Sequence, residues 1–443
     1  FKQKTAYEIM PSLVGSEMCI RDRGFPKGVD AYCHLTKIRY LMKYWPNHYW
    51  NYLWQAGTPF FGGSYPPLTY YMVLVVVKLF KLTPEKALTA LTLTAFCVNN
   101  LGIYGFIRNE TGNRWAAMLS TPILVLTPAY WEWWLFGGNY ARAISTAFIG
   151  LSLYLVSISS KRPENRLLKL SIPITLAVAI GSHMVSGVPA LAMVLLYQLF
   201  SDPIKEGLKK ALHTFVAVVL LNVYYVTQML FSNPTAPGLL RPSPSEAVPF
   251  LRLFLPVQSS ANICYTLHPL LIPLFALVIA GCVVRKVKCK ACSVVPPAFL
   301  TTVSLTYALV GHVPGYPVTL YLCGFPPVSA LYFVTLGLSM LIPVLLHSIL
   351  SDSRWRHMAI LVVLCAIIIA GITVSAPCIR SSVYVETASD TFETLTQQLV
   401  YVDSSVYDQR LGTDLAFLAI WFNYIYDVPQ TRGYYVKGLP YPD

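Results

Sequence analysis

Apolar stretches about as long as a bilayer is thick recur along this chain, and they leave few folds open to it. Runs at 86–107, 115–131, 141–159, 167–182, 184–200, 210–231, 267–284, 292–310, 326–349 and 358–376 are each close to span length. Hydrocarbon cannot hydrogen-bond a backbone, so a spanning segment satisfies its own amides as a helix or closes into a barrel. Runs near 20 residues select the helix. The expected fold class is therefore an all-α polytopic membrane protein with about ten transmembrane helices. Composition agrees: 55% of the 443 residues are hydrophobic and 12% are charged, against about 25% charged in a soluble domain. A further run, 67–82, is shorter and carries Lys78 and Lys81. It reads as either an eleventh span or a helix lying at the interface.

Charge sets the sidedness. The loops after 107, 159, 200, 284 and 349 hold fifteen Lys and Arg, whereas the intervening loops up to 326 hold only Arg142, Arg241 and Arg252. Positive residues stay in the cytoplasm, so the basic set is expected inside. Segment 24–85, the loops near 132–140, 183, 232–266 and 311–325, and everything after 377 then face outward. The net charge of +13 belongs to these loops, and no nucleic-acid partner is inferred from it. Residues 377–443 are more polar, with eight acidic residues, and read as the start of an extracytoplasmic domain. Residues 1–23 resemble a translated sequencing adapter ("KQKTAYEI" and "SLVGSEMCIRDR") and are set aside as an artefact. The native N-terminus is expected upstream of Gly24, together with one span if the protein starts in the cytoplasm, and Asp443 is expected to be a cut rather than an end.

Most of the ten cysteines lie in apolar runs, as small hydrophobes do. Cys289 and Cys292 form a lone CxxC, half of what a structural zinc needs. Among the acids, Glu110, Glu164, Asp202, Glu206 and Asp352 fall in basic loops and read as solvated surface. Glu85 follows Pro84 at a helix start, where an acid faces the helix dipole. Asp30 and Glu132 differ, because both sit in aromatic, apolar, outward-facing sequence ("GVDAYCH", "PAYWEWWLFGGNYAR"). Carboxylates in such surroundings are costly and mark function.

Asp30, His34 and Lys37 recur at i, i+4 and i+7 and share one face of a helix. Leu35, Ile38, Leu41 and Met42 form the opposite face. An amphipathic interfacial helix with snorkelling charges satisfies the same pattern. The aromatic, turn-rich "YWPNHYWNYLWQAGTPFFGGSYPPLTYYM" that follows reads as a folded loop rather than a tether. Its Trp and Tyr suit sugar stacking or a membrane interface, as do Tyr32 and Trp134.

"GVDAYCHLTKIRYL", the aromatic loop and "YPPLTYY" resemble the first outer loop of GT-C superfamily membrane glycosyltransferases. The form is that of archaeal and bacterial polytopic proteins described as 6-pyruvoyl-tetrahydropterin-synthase-related. "GNYARAIS" and "GSHMVSG" resemble the family more weakly. The resemblance implies a GT-C-like fold with interfacial helices in the first outer loop. It also implies transfer of a sugar from a polyprenyl-phosphate carrier to a glycan, lipid or protein acceptor on the extracytoplasmic face. Asp30 matches the family's essential acid, either general base or metal ligand. In the Asp-x-Tyr-x-x-x-Arg signature of oligosaccharyltransferases, Tyr32 fits but Thr36 stands at the Arg position, with Lys37 and Arg39 nearby. The Trp-Trp-Asp motif of oligosaccharyltransferases is absent, which argues against protein N-glycosylation.

The expected chemistry places Asp30 as catalytic base and Tyr32, Lys37, Arg39, Arg142 and His183 on the substrate. Asp30, His34 and Glu132 are the candidate ligands for a divalent cation, Mg²⁺ or Mn²⁺. The leaving lipid phosphate needs a cation, either metal or side chain. Arg142 can serve it or pair with Glu132, and His183 can bind phosphate or metal or simply cap a helix. The alternative is a transporter or lipid flippase of envelope assembly, which does not need Asp30.

Overall fold

The computed structural model describes residues 31–47, 50–51, 58–59, 66–135, 138–224, 267–287, 289–310, 327–350 and 356–383. The expectations for residues 1–30 (Asp30 included), for 232–266 and 311–325, and for the chain beyond 383 lie outside the described residues. Among the described residues the order is α1 (Ala31–Tyr44), β1 (Trp50–Asn51), β2 (Thr58–Pro59), α2 (Leu68–Phe80) and α3 (Pro84–Thr111). Three short helices follow, α4 (Arg114–Met118), α5 (Ser120–Val125) and α6 (Pro128–Leu135). Then come α7 (Tyr140–Lys161), α8 (Arg166–Ser182), α9 (Met184–Ser201), α10 (Ile204–Leu221), α11 (Leu271–Val284) and α12 (Ala291–Val310). A 3₁₀ turn at Pro327–Ala330 leads into α13 (Leu331–Ile349), and α14 is Arg356–Val383.

Six of these helices, α3, α7, α9, α12, α13 and α14, are long and apolar enough to cross a membrane. Together they make a multi-pass membrane protein. At 13 residues, α2 is only about 20 Å long and falls short of the ~30 Å hydrocarbon core. The stretch expected as one span over 115–131 is instead broken into α4, α5 and α6. Pro128, the first residue of α6, has no N–H to continue α5 and disfavours a helical residue before it. The break is satisfied internally, since the Ser375 hydroxyl of α14 donates to the Leu126 carbonyl at 3.0 Å.

Helix α13 is the centre of the molecule, with every residue from Leu331 to Leu346 buried, and the main apolar core forms around it. A second cluster joins α1, α2 and the first halves of α3 and α7, through Leu35, Ile38, Val73, Leu88 and Ile144. Helices α3 and α7 touch backbone to backbone. A Cβ on Gly150 would lie 2.4 Å from the Asn99 carbonyl oxygen, and the Asn99 side chain accepts the Gly150 N–H at 3.0 Å. The two-residue strands β1 and β2 pair antiparallel, Trp50 opposite Pro59, so the aromatic loop is folded there.

The helix ends that border the basic loops come together. At one pole Lys161 donates to the Asn109 carbonyl, the Asn109 amide reaches Ser157 at 3.0 Å, Asn113 donates to His347 at 3.3 Å, and Arg285 donates to the Ile349 carbonyl at 2.9 Å. The basic loops predicted to share one side thus gather at one pole. The start of α7, the end of α8 and the 3₁₀ turn lie at the other. Glu110, read from sequence as solvated, is half-buried at the basic pole and accepts the Tyr197 hydroxyl at 2.8 Å.

Candidate functional site

Helix α1 is buried on both faces. Leu35, Ile38 and Leu41 are fully covered, but so is His34, and Lys37 is only 8% exposed. Snorkelling charges therefore do not describe this helix: its polar stripe faces protein. His34 Nδ1 lies 3.1 Å from the Tyr70 hydroxyl of α2, its ring meets Tyr140 of α7 edge-on at 6.4 Å, and Lys37 Nζ sits 5.5 Å from the Tyr70 ring centre. Asp30 immediately precedes α1, outside the described residues. Tyr32 and Glu132 lie within α1 and α6, but their side chains are not among those described.

Arg39 is two residues past Lys37 and so projects from the other side of α1. It lies 3.8 Å from Glu85. Sequence reading left Glu85 as an acid at a helix start. It does occupy the first turn of α3, behind the Thr83 cap and Pro84, and it is also wholly buried.

Among the described residues Arg142 is the largest of the fully buried side chains. Asn139 caps α7 by accepting the Arg142 backbone N–H at 3.2 Å, which fixes the residue one turn inside the helix. Its guanidinium donates to the Ser329 carbonyl at 3.1 Å and lies 4.6 Å and 5.0 Å from the ring centres of Tyr332 and Phe333. Tyr332 in turn donates to Thr146 at 2.5 Å and stacks on Tyr130. Planar contacts of this kind suit an arginine and not a lysine.

His183 breaks the chain between α8 and α9, with extended φ and ψ of −160° and 106°. Its Nδ1 lies 3.2 Å from the Ser186 hydroxyl, and the Ser145 hydroxyl of α7 donates to its carbonyl at 3.3 Å. Burial holds the imidazole well below its ordinary pKa, and the nearby charge of Arg142 pushes the same way. His34 is pushed down to about 3, first by burial and then by Lys37. Both rings are therefore neutral at neutral pH. His34, Lys37, Arg142 and His183, chosen from sequence on separate grounds, meet at one pole of the fold. Tyr70, Tyr140, Ser329 and Tyr332 complete that pole and were not singled out. The first two lie in "YPPLTYY" and "GNYARAIS", so a signal was present, whereas Ser329 and Tyr332 are distant in sequence and gave none.

Among the described residues no three His, Cys, Asp or Glu side chains converge as metal ligands. Cys289 and Cys292 are free thiols. Of the three expected metal ligands only His34 has a described side chain, and its neutral ring is the state in which histidine ligates.

No protein-family model matches the chain, and no curated protein sequence matches it significantly. Solved structures do. The chain is similar to the archaeal oligosaccharyltransferase AglB from Archaeoglobus fulgidus in complex with an inhibitory peptide and a dolichol-phosphate, with a TM-score of 0.58 at 10% identity over 94% of this chain and 61% of that one. It is also similar to the Archaeoglobus fulgidus oligosaccharyltransferase complex with Zn and sulfate, with a TM-score of 0.55 at 12% identity over 92% of this chain and 59% of that one. ArnT from Cupriavidus metallidurans bound to undecaprenyl phosphate gives a TM-score of 0.55 at 13% identity, over 97% of this chain and 86% of that one. This chain spans about three fifths of the oligosaccharyltransferase. The GT-C-like fold expected from "GVDAYCHLTKIRYL" is therefore the fold observed.

Proposed function

We propose that this chain, built on the fold of GT-C membrane glycosyltransferases, moves a sugar from a polyprenyl-phosphate carrier to an acceptor on the extracytoplasmic face. The observation that carries this reading is the meeting of His34, Lys37, Arg142 and His183 at the pole opposite the basic loops. That pole directly follows Asp30 in the chain, and two structures of the same fold hold dolichol-phosphate and undecaprenyl phosphate.

The acceptor hydroxyl attacks the anomeric carbon as the bond from that carbon to the phosphate oxygen breaks. Asp30 takes the hydroxyl proton, a role open to a carboxylate within hydrogen-bond reach. The departing lipid phosphate gains negative charge, which Lys37 and Arg142 offset in a site shielded from water. His183 and Tyr32 contribute to binding the carrier, and Arg39, paired with Glu85, holds α1 against α3. The acceptor is a glycan, a lipid or a protein. A divalent cation, Mg²⁺ or Mn²⁺, would be held by Asp30, His34 and Glu132 and would supply further charge for the leaving phosphate.

The test is transfer of radiolabelled sugar from a polyprenyl-phosphate donor in membranes containing the protein. Asp30→Asn is expected to lower the rate by roughly 10²–10⁴-fold, the usual worth of a general base, at unchanged expression. Undiminished transfer would remove Asp30 from the mechanism. Sugar uptake into proteoliposomes without any lipid-linked donor would mark a transporter instead.

A further inference from the structure

At the basic pole, α7, α8, α9 and α10 enclose a cavity of about 490 Å³ that takes no part in the proposed transfer. It is separated from the Arg142 pole by the length of α7, whose 22 residues rise about 33 Å, the thickness of a bilayer core. Arg166 and Lys169 stand one turn apart on α8 and face it together. Neither makes an ion pair among the described residues. Lys210, across the cavity, is held by Asp202 at 2.7 Å, and Ser201 donates to the same carboxylate at 2.8 Å, so the one acid is already neutralised.

Gln198 is the second, independent feature. It is 93% buried, by its 7% exposure, it lines the cavity, and its amide nitrogen donates to Thr214 at 3.0 Å. Its Oε1 has no hydrogen-bond partner among the described residues. A buried amide atom left without a partner is costly. Turning the amide over only exchanges which of its two atoms is left without a partner. A hydroxyl, which both donates and accepts, answers either orientation. The wall beside these groups is apolar, with Pro173 and Ala217 inside and Leu170, Leu212 and Phe215 exposed on the flanks of α8 and α10.

We propose that this cavity binds the head group of an anionic phospholipid of the cytoplasmic leaflet. The phosphodiester lies against Arg166 and Lys169, a head-group hydroxyl meets the Gln198 amide, and an acyl chain runs along Leu170 and Phe215. Basic pockets between helices on the cytoplasmic side are suited to such head groups. A free glycerol phosphate offers the same polar chemistry without the chain, and the experiment separates the two.

The full chain is purified in phosphatidylcholine–detergent micelles, and its thermal midpoint is followed on titration with phosphatidylglycerol, phosphatidylmethanol (same charge, no hydroxyl) and glycerol 3-phosphate. A ligand of the folded state raises the midpoint in proportion to its occupancy. The expected result is a rise with phosphatidylglycerol, a smaller one with phosphatidylmethanol and none with glycerol 3-phosphate. In the double variant Arg166→Gln/Lys169→Gln, both exposed positions whose replacement leaves the core intact, the apparent affinity for phosphatidylglycerol falls at least about tenfold. Gln198→Met removes the preference for phosphatidylglycerol over phosphatidylmethanol. An equal response to glycerol 3-phosphate would assign the cavity to a water-soluble phosphate and overturn the lipid assignment. An undiminished response in the double variant would overturn the site altogether. Neither readout depends on sugar transfer.

Discussion

A single buried cation shows how much one side chain can demand of its surroundings. Arg142 has a backbone carbonyl at 3.1 Å and two aromatic faces within about 5 Å, and a fully buried charge persists only with partners of this kind. Arg142→Lys keeps the charge but loses the planar contacts. Transfer is expected to fall roughly tenfold or more, about 1.4 kcal/mol of barrier, with a smaller change in thermal midpoint than Arg142→Gln produces. A wholly structural role would move the midpoint and leave the turnover of folded protein untouched. His34 gives a pH prediction. Its pKa is about 3 in the fold against 6.5 free, so between these values the unfolded chain binds the extra proton. Stability then rises with pH through that window: this contribution is whole above pH 6.5 and is lost as pH falls toward 3. The thermal midpoint is expected to drop between pH 7 and pH 5, and His34→Gln to flatten the drop only partly. The reason is that burial and then the charge of Arg142 depress His183 with the same sign.

At the scale of elements, close approach and interruption matter more than apolar content. Helices α3 and α7 meet at Gly102 and Gly150, where a Cβ on Gly102 would lie 2.4 Å from the Gly150 carbonyl carbon. Gly150→Ala is expected to destabilise by about 1–3 kcal/mol through overpacking, read as a lowered thermal midpoint of the detergent-solubilised protein. An unchanged midpoint would mean the two helices separate easily. The α4–α6 stretch teaches the opposite lesson. Its hydropathy alone gives one span, whereas Pro128 cuts it, and Ser375 on α14 covers the Leu126 carbonyl beside the cut. Glu110 and Glu85 likewise changed character once packing was known. Glu85 was placed correctly at a helix start, whereas Glu110, read as part of a basic loop, belongs to the last turn of α3, and neither carried any local sign of being drawn in against Arg39 or Tyr197.

Among the described residues the basic loops gather at one pole, and the side of the membrane they face can be checked directly. Cys289, partly exposed and flanked by Lys290, is expected to react with an impermeant maleimide in inverted vesicles and not in right-side-out ones. Cys289→Ser serves as the control, and labelling from outside would reverse the orientation assumed for both the transfer site and the lipid cavity. Chain order alone determined the apolar runs, the bias of fifteen basic residues against three, and the polar stripe His34–Lys37 on one face of a helix. These are local properties, set by backbone solvation in hydrocarbon and by helical periodicity, so they needed no knowledge of neighbours. Tertiary structure decided that the stripe faces Tyr70 and Tyr140 instead of water, that Arg142 finds Ser329 and Tyr332 nearly two hundred residues away, and that four helix ends enclose a cavity around Gln198. Those outcomes depend on which helices pack together, because burial and partner choice arise from contacts between distant segments, and no local pattern encodes them.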